Sequence, residues 1–363
     1  MKKVIFISAL AIAAAVSCNK SEIVDTKFNE QISFETYTGR DAMTKAAVTD
    51  KENLTQVFVY GYYTGTEKWG TGTEANLWSP MTLSCDNGAC TVSEADKRYW
   101  TNDTDQYTFL AYAPAVVENV LTVIAENGKN PTITYNVPTT LADQKDLLYA
   151  VPQINRTKDN GTVALQMKHA LARLTVKAKV SAAEPFEYHI KEVSITGAFN
   201  TTGTLVLANQ TEDACTWATA TPAATAPKYE FLPYNAYLAK DNQSKALPTE
   251  DYDYAGANNY LMMIPTTFSD AKETVGEGEE AKEVYTNAAT LTVKYTTYYR
   301  AGDLESAEYT KTFPVTTAFE AGKAYSINLE FIQATNNEIN FTVDVTGWDE
   351  THDKNTTTIT PAN

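Results

Sequence analysis

The sequence predicts an all-β chain built as two β-sandwiches in tandem, and three features of it carry that prediction. Apolar β-branched and aromatic residues take every second position in stretch after stretch, the alternation of half-buried strands. Clusters of turn residues such as "NTTGT" and "KDNGT" separate these stretches. Helical periodicity is scarce and confined to Val116–Ile124, where two turns are expected. The 363 residues are more than one sandwich uses, which is why two are expected.

The chain begins Met1-Lys2-Lys3 and continues with an apolar run from Val4 to Val16. That run is shorter than the roughly 20 residues of a membrane-spanning helix. A basic start, a short apolar stretch and small residues before a cut make a secretory leader, expected over residues 1–17. The leader stops at "AVSC", which matches a bacterial lipoprotein box, so Cys18 is the expected lipidation site and acyl chains would hold the mature N-terminus to a membrane. Residues 18–45 form the next segment: a polar spacer, then "QISFETY", whose Ile32 and Phe34 share one face of a strand, then "TGRDAMTKAAVTD", small and polar. Exposed small-residue linkers are where proteases cut, and Arg40 and Lys45 are trypsin-type sites within this one.

Further along, "TITYNV" sets Ile133, Tyr135 and Val137 on one face, and "LTVKAKV" sets Leu174, Val176, Ala178 and Val180 on one face. "LTVKY" repeats this with Leu291, Val293 and Tyr295, and "YSINLEF" with Tyr325, Ile327, Leu329 and Phe331. "INFTVDV" closes the series with Ile339, Phe341, Val343 and Val345. The small-residue and proline interruption "VSAAEPFEY" is the expected boundary, giving sandwiches over residues 46–182 and 183–363. The acidic stretch Val275–Glu283 is expected to be a solvated hairpin loop.

Loss of Lys2 and Lys3 with the leader takes the formal net charge from −16 to −18. Such a surface repels phosphate backbones and carries no basic cluster, so nucleic acid is excluded as a partner. Cys85 and Cys90 bracket "DNGA", where Asn87-Gly88 is a turn pair that accepts positive φ, and the two thiols could meet across it as a disulfide in an oxidising compartment. No metal site and no cofactor is expected. Catalytic signatures are lacking too: there is no GxSxG, no HExxH and no phosphate-cradling glycine loop, and His169 has no carboxylate or nucleophile near it in sequence. Two non-enzymatic roles compete. One is assembly through strands. The other is glycan binding by a surface lipoprotein, with Trp69, Trp78 and Trp100 as stacking candidates, although aromatics on strands are more often core.

Taken in order, the lipoprotein box, the short first strand, the basic cut site and the stretches "YWTNDTDQYTFLAYAP", "DLLYA", "MKHALARLTV", "LMMIP", "AGKAYSINLEF" and "INFTVDVTGWDE" resemble the fimbrillin-like proteins, subunits of the type V pili of Gram-negative gut and oral anaerobes. The resemblance runs over nearly the whole chain. It implies transthyretin-like sandwiches, export as a lipoprotein through the periplasm to the outer membrane and cell surface, and no enzymatic activity. It also implies trimming by a trypsin-like or arginine-specific protease, at Arg40 or Lys45 here, which removes the strand bearing Ile32 and Phe34. The partners it implies are other copies or related subunits, one inserting a C-terminal strand into the groove so opened. The tail after Trp348 is polar, with Ile359 its one aliphatic residue, so Ile339, Phe341, Val343 and Val345 are the expected donor residues.

Overall fold

The computed structural model describes residues 30–37, 54–70, 73–125, 129–180, 187–232, 236–238, 245–246, 260–276, 281–298, 308–332 and 338–348. The expected leader, Cys18, Arg40, Lys45 and the tail beyond Trp348 lie outside them. Regular structure among the described residues is β apart from short 3-10 turns. The first strands are β1 (Phe34–Tyr37), β2 (Gln56–Gly65), β3 (Trp78–Asp86), β4 (Ala89–Val92), β5 (Gln106–Ala113), β6 (Leu121–Ile124), β7 (Thr132–Asn136), β8 (Leu148–Ala150), β9 (Gln153–Arg156) and β10 (Val163–His169). Next come β11 (Ala172–Val180), β12 (Glu187–Thr196), β13 (Asn200–Val206), β14 (Trp217–Pro222), β15 (Lys228–Leu232), β16 (Ala236–Leu238), β17 (Lys245–Ala246) and β18 (Leu261–Met263). The last are β19 (Thr266–Thr267), β20 (Lys272–Val275), β21 (Lys282–Tyr285), β22 (Ala289–Tyr298), β23 (Tyr309–Val315), β24 (Ala318–Phe319), β25 (Lys323–Ile332) and β26 (Glu338–Gly347).

In the first half the pairing runs β2-β3-β4-β1-β10-β8-β5, and β5 then pairs back onto β2. These seven strands form a closed circuit, and closure is what removes the free edges of a sheet. Inside lies an aromatic core of Phe34, Trp78, Trp100, Tyr107 and Phe109, packed with Val163, Leu165 and Met167. Strands β2 and β5 are buried on both faces. Val59, Phe109 and Ala111 face this core, while Tyr60, Tyr62, Leu110 and Tyr112 face the other. The unbroken apolar run "YTFLAYA" of β5 follows from that two-sided burial.

The second half is a sandwich of two sheets. One runs β17-β11-β25-β26, with β18 also on β11; the other runs β15-β12-β22-β23, with β16 also on β12. Alternate residues of both point inward: Leu174, Val176, Ala178 and Val180, with Tyr325, Ile327, Leu329 and Phe331, against Leu291, Val293 and Tyr295. Ring contacts cross the layer, Tyr188 to Phe331 at 4.7 Å and Phe313 to Phe341 at 5.3 Å. A four-stranded sheet, β14-β13-β7-β6, ties the halves together, with Ile133 and Tyr135 buried on it. No helix of the described residues is long and apolar enough to cross a membrane.

Strand β11, which precedes the expected boundary at 182/183, pairs among the described residues with strands that follow it: β25 in parallel from Arg173 to Val180, β18 and β17. One expectation needs correction. Val116–Ile124 forms no two-turn helix. Leu121 N–H bonds to Val117 C=O at 2.8 Å in a single turn, then Leu121–Ile124 pairs with β7. Six β-branched residues within that stretch favour extended backbone, and Asn119 at φ 61° halts any helix. At the ends of the acidic stretch β20 and β21 pair antiparallel, with Val275 opposite Lys282.

Glu192 of β12 accepts from Lys228 Nζ and Lys294 Nζ, each at 2.7 Å, and from Ser194 Oγ at 2.9 Å. Burial by itself raises its pKa; these donors outweigh it and hold the carboxyl at about 2 against an ordinary 4.5. A depressed carboxyl contributes stability that is complete above its unfolded pKa and is lost as pH falls through the folded one. Glu192→Gln is therefore expected to lower the urea midpoint near neutral pH and to flatten its decline between about pH 5 and pH 2. Urea melts across that range check it; an unchanged pH profile would contradict the pairing.

Candidate functional site

The first candidate site is the position of β1 itself. The strand is short, and it lies in the interior of the sheet rather than at a margin: antiparallel to β4 on one side, parallel to β10 on the other. Phe34 stands opposite Cys90 on β4 and Val163 on β10. Backbone bonds extend the strand at its N-terminal end. Ile32 N–H donates to Arg98 C=O at 2.9 Å, Trp100 N–H to Glu30 C=O at 3.1 Å and Val163 N–H to Ser33 C=O at 2.9 Å.

Alternation decides what each side chain does. Ile32, Phe34 and Thr36 point into the core and are 0%, 3% and 5% exposed, while Ser33, Glu35 and Tyr37 face solvent. Phe34 presents edge contacts to Trp78 at 5.8 Å and to Phe109 at 5.4 Å, so its ring is held by two aromatic neighbours. Thr36 lies at the turn joining β3 and β4. Asn87 and Gly88, both at positive φ, make a two-residue turn there, and Cys85 is disulfide-bonded to Cys90 beside it. Gly88 C=O accepts the Thr36 N–H at 2.9 Å, and a Cβ on Gly88 would sit 2.8 Å from Thr36 C=O. Glycine is thus required at that position twice over, by conformation and by contact.

Extraction of β1 would leave β4 and β10 with unpaired N–H and C=O groups and uncover the aromatic core between them. A vacancy of that kind templates another strand.

The second candidate site is β26. Among the described residues it forms the margin of its sheet and bonds to β25 alone, over ten residue pairs. Ile339, Phe341 and Val343 face inward, and Val345 is half-buried. Its C-terminal end is held where the two halves meet. Trp348 stacks on His169 at 4.2 Å between ring centres, with 8° between the planes, and the Arg173 guanidinium lies over the Trp348 ring at 5.0 Å. His169 Nδ1 is 2.9 Å from the Asp146 carboxylate, and both side chains are buried. Nothing in sequence links these four positions. Asp146 precedes His169 by 23 residues and Trp348 lies far beyond both, so only folding brings them together.

The aromatic side chains of the glycan-binding alternative stand elsewhere. Trp78 and Trp100 are 5% and 1% exposed and belong to the core beneath β1, and Trp69 is half-buried with an edge contact to Tyr62 at 5.9 Å. Trp78 and Trp100 offer no open face for stacking on a sugar.

A family model described as fimbrillin-like matches residues 44–348. No curated protein sequence matches the chain. Among solved structures, a candidate cell adhesion protein of Bacteroides uniformis is 17% identical, with 88% of this chain and 99% of that one covered at a TM-score of 0.48. A candidate cell adhesion protein of Bacteroides ovatus is 15% identical, with 87% and 97% covered at 0.45. The tip fimbrial protein Mfa3 of Porphyromonas gingivalis, C-terminally truncated, is 10% identical, with 88% and 99% covered at 0.42.

The position of Phe34 sets an expected outcome for the intact protein. Phe34→Ala should cost about 3–5 kcal/mol of unfolding free energy, whereas Tyr37→Ala on the outer face should stay within about 0.5 kcal/mol. Guanidinium unfolding of the two variants measures the difference; equal losses would mean that β1 is not part of the core.

Proposed function

Because the chain belongs to the fimbrillin-like family, we propose that it is a fimbrial subunit, exported as a lipoprotein and joined to its neighbours by strand exchange at the position of β1. That family consists of structural surface proteins rather than enzymes, and no catalytic role is assigned. The observation that carries the reading is the place of β1: a short N-terminal strand in the interior of a closed circuit, with Ile32 and Phe34 in the core.

In this reading Cys18 carries the lipid that holds the precursor to the outer membrane. Cleavage after Arg40 or Lys45 then releases Gln31–Tyr37 with the lipid. The vacated place is refilled by Ile339–Val345 of another subunit. Each apolar side chain that enters returns about 1.5–3 kcal/mol, and each backbone bond adds about 0.5–1.5 kcal/mol. Association and ordering cost about 4–15 kcal/mol. Hydrogen bonds alone would not hold such a joint firmly, so the inward-facing aliphatic and aromatic residues decide whether it lasts. One subunit's C-terminal strand in the next subunit's N-terminal half is a heterologous contact that does not close on itself, and repetition gives a filament.

Limited trypsin treatment of the purified precursor tests this. The expected product has Asp41 or Ala46 at its N-terminus and runs as a ladder of multimers on a non-reducing gel. A trimmed product that stays monomeric and resists denaturant as well as the precursor would sink the reading; an unaltered monomer that binds on a glycan array would support the alternative.

A further inference from the structure

We propose that Ile339–Val343 is a register-matched copy of Ile32–Thr36, so that a second copy of this chain enters the place of β1 with the polarity of β1: Ile339 where Ile32 was, Phe341 where Phe34 was, and Val343 where Thr36 was. The inference rests on the strand-exchange reading above and adds to it the register and the direction.

The pattern Ile-x-Phe occurs at two places in the sequence, Ile32–Phe34 and Ile339–Phe341. Both are β-strands that turn these residues inward and set polar residues, Ser33 and Glu35 or Asn340 and Thr342, on the other face. A strand of the second kind can therefore present to the core beneath β1 the same side chains at the same two-residue spacing. Val343 matches Thr36 in shape. The hydroxyl it lacks makes long contacts, 3.4 Å to Gly88 C=O and 3.6 Å to the Cys90 sulfur, so little is lost there.

Direction follows from size. With the polarity of β1, the larger aliphatic residue lies toward Trp100 and the smaller toward the Gly88 turn. A strand reversed about Phe341 would place Ile339 against Gly88 and the Cys90 sulfur, where Thr36 now fits, and would overpack that end. The exchange also improves what β26 has. At home, among the described residues, it bonds one neighbour, β25, and Phe341 meets one ring, Phe313. In the vacated place it would lie between β4 and β10, with its Phe341 ring between Trp78 and Phe109. A marginal strand can leave its sheet without breaking an interior ladder, so the donor domain keeps the pairing of β25 with β11.

Cross-linking of outward-facing positions tests register and direction without disturbing either core. On β10 the exposed Thr162 adjoins Ser33, and Ala164 is in register with Glu35. Full-length precursors in a Cys215→Ser background are mixed in pairs, trimmed with trypsin and treated with a short bis-maleimide. Thr342→Cys with Ala164→Cys, and Asn340→Cys with Thr162→Cys, are expected to link between subunits. Links in the crossed pairs, Thr342→Cys with Thr162→Cys and Asn340→Cys with Ala164→Cys, would show the reverse direction and overturn the proposal. Multimers that form with no link in any pair would overturn the register while leaving strand exchange standing. Trimmed protein that forms no multimers would remove the reading on which the proposal rests. Phe341→Ala should reduce multimer yield at least about tenfold, and a Phe341→Ala variant that assembles as well as the parent would also overturn it.

Discussion

A circuit of seven paired strands has no edge, and in this protein one of the seven arrives from outside the continuous part of the circuit. β1 comes from the N-terminal segment, yet it occupies an interior position between β4 and β10. The other features of the first half follow from that constraint. The aromatic core is complete only when Phe34 supplies the ring between Trp78 and Phe109. The β3–β4 turn is shaped around the strand's end, with a glycine whose carbonyl serves Thr36. A strand so placed is costly to leave empty and rewarding to replace, because two ladders and one core are recovered together.

The second half answers with the opposite arrangement. β26 carries a comparable inward face but lies at a margin, bound to one neighbour. Interior and marginal strands differ in what they give up on leaving: the first opens a core on both sides, the second uncovers one. That asymmetry, rather than strand composition, distinguishes the position that receives from the one that donates in the proposed exchange. The stack of Trp348 on His169, itself paired with Asp146, fastens the end of β26 near the junction of the halves. Shared burial of β2 and β5, and the sheet that pairs β7 with β13, make that junction continuous core rather than a linker.

Much of this was legible in the residues themselves. Period-two alternation locates the strands at Ile133–Val137, Leu174–Val180, Leu291–Tyr295, Tyr325–Phe331 and Ile339–Val345 and picks their inward faces, with Val345 half-buried rather than buried, because the side-chain period of a strand is a local property. The "QISFETY" strand was legible for the same reason. The helical expectation at Val116–Ile124 failed where a mixed apolar stretch of nine residues fits either period, and β-branching with pairing to β7 decided it.

The sequence by itself determined the class of fold, the inward face of each strand and the family to which the chain belongs, since these reside in residue type and spacing. Only the tertiary structure decided which strands are neighbours. It paired β11 with β25 in parallel, joined the circuit through β2 and β5, and put His169 between Asp146 and Trp348. The physical reason is that alternation specifies a face but not a partner: any strand with an apolar side can pair with any other until the whole core is packed and one arrangement leaves the fewest edges bare.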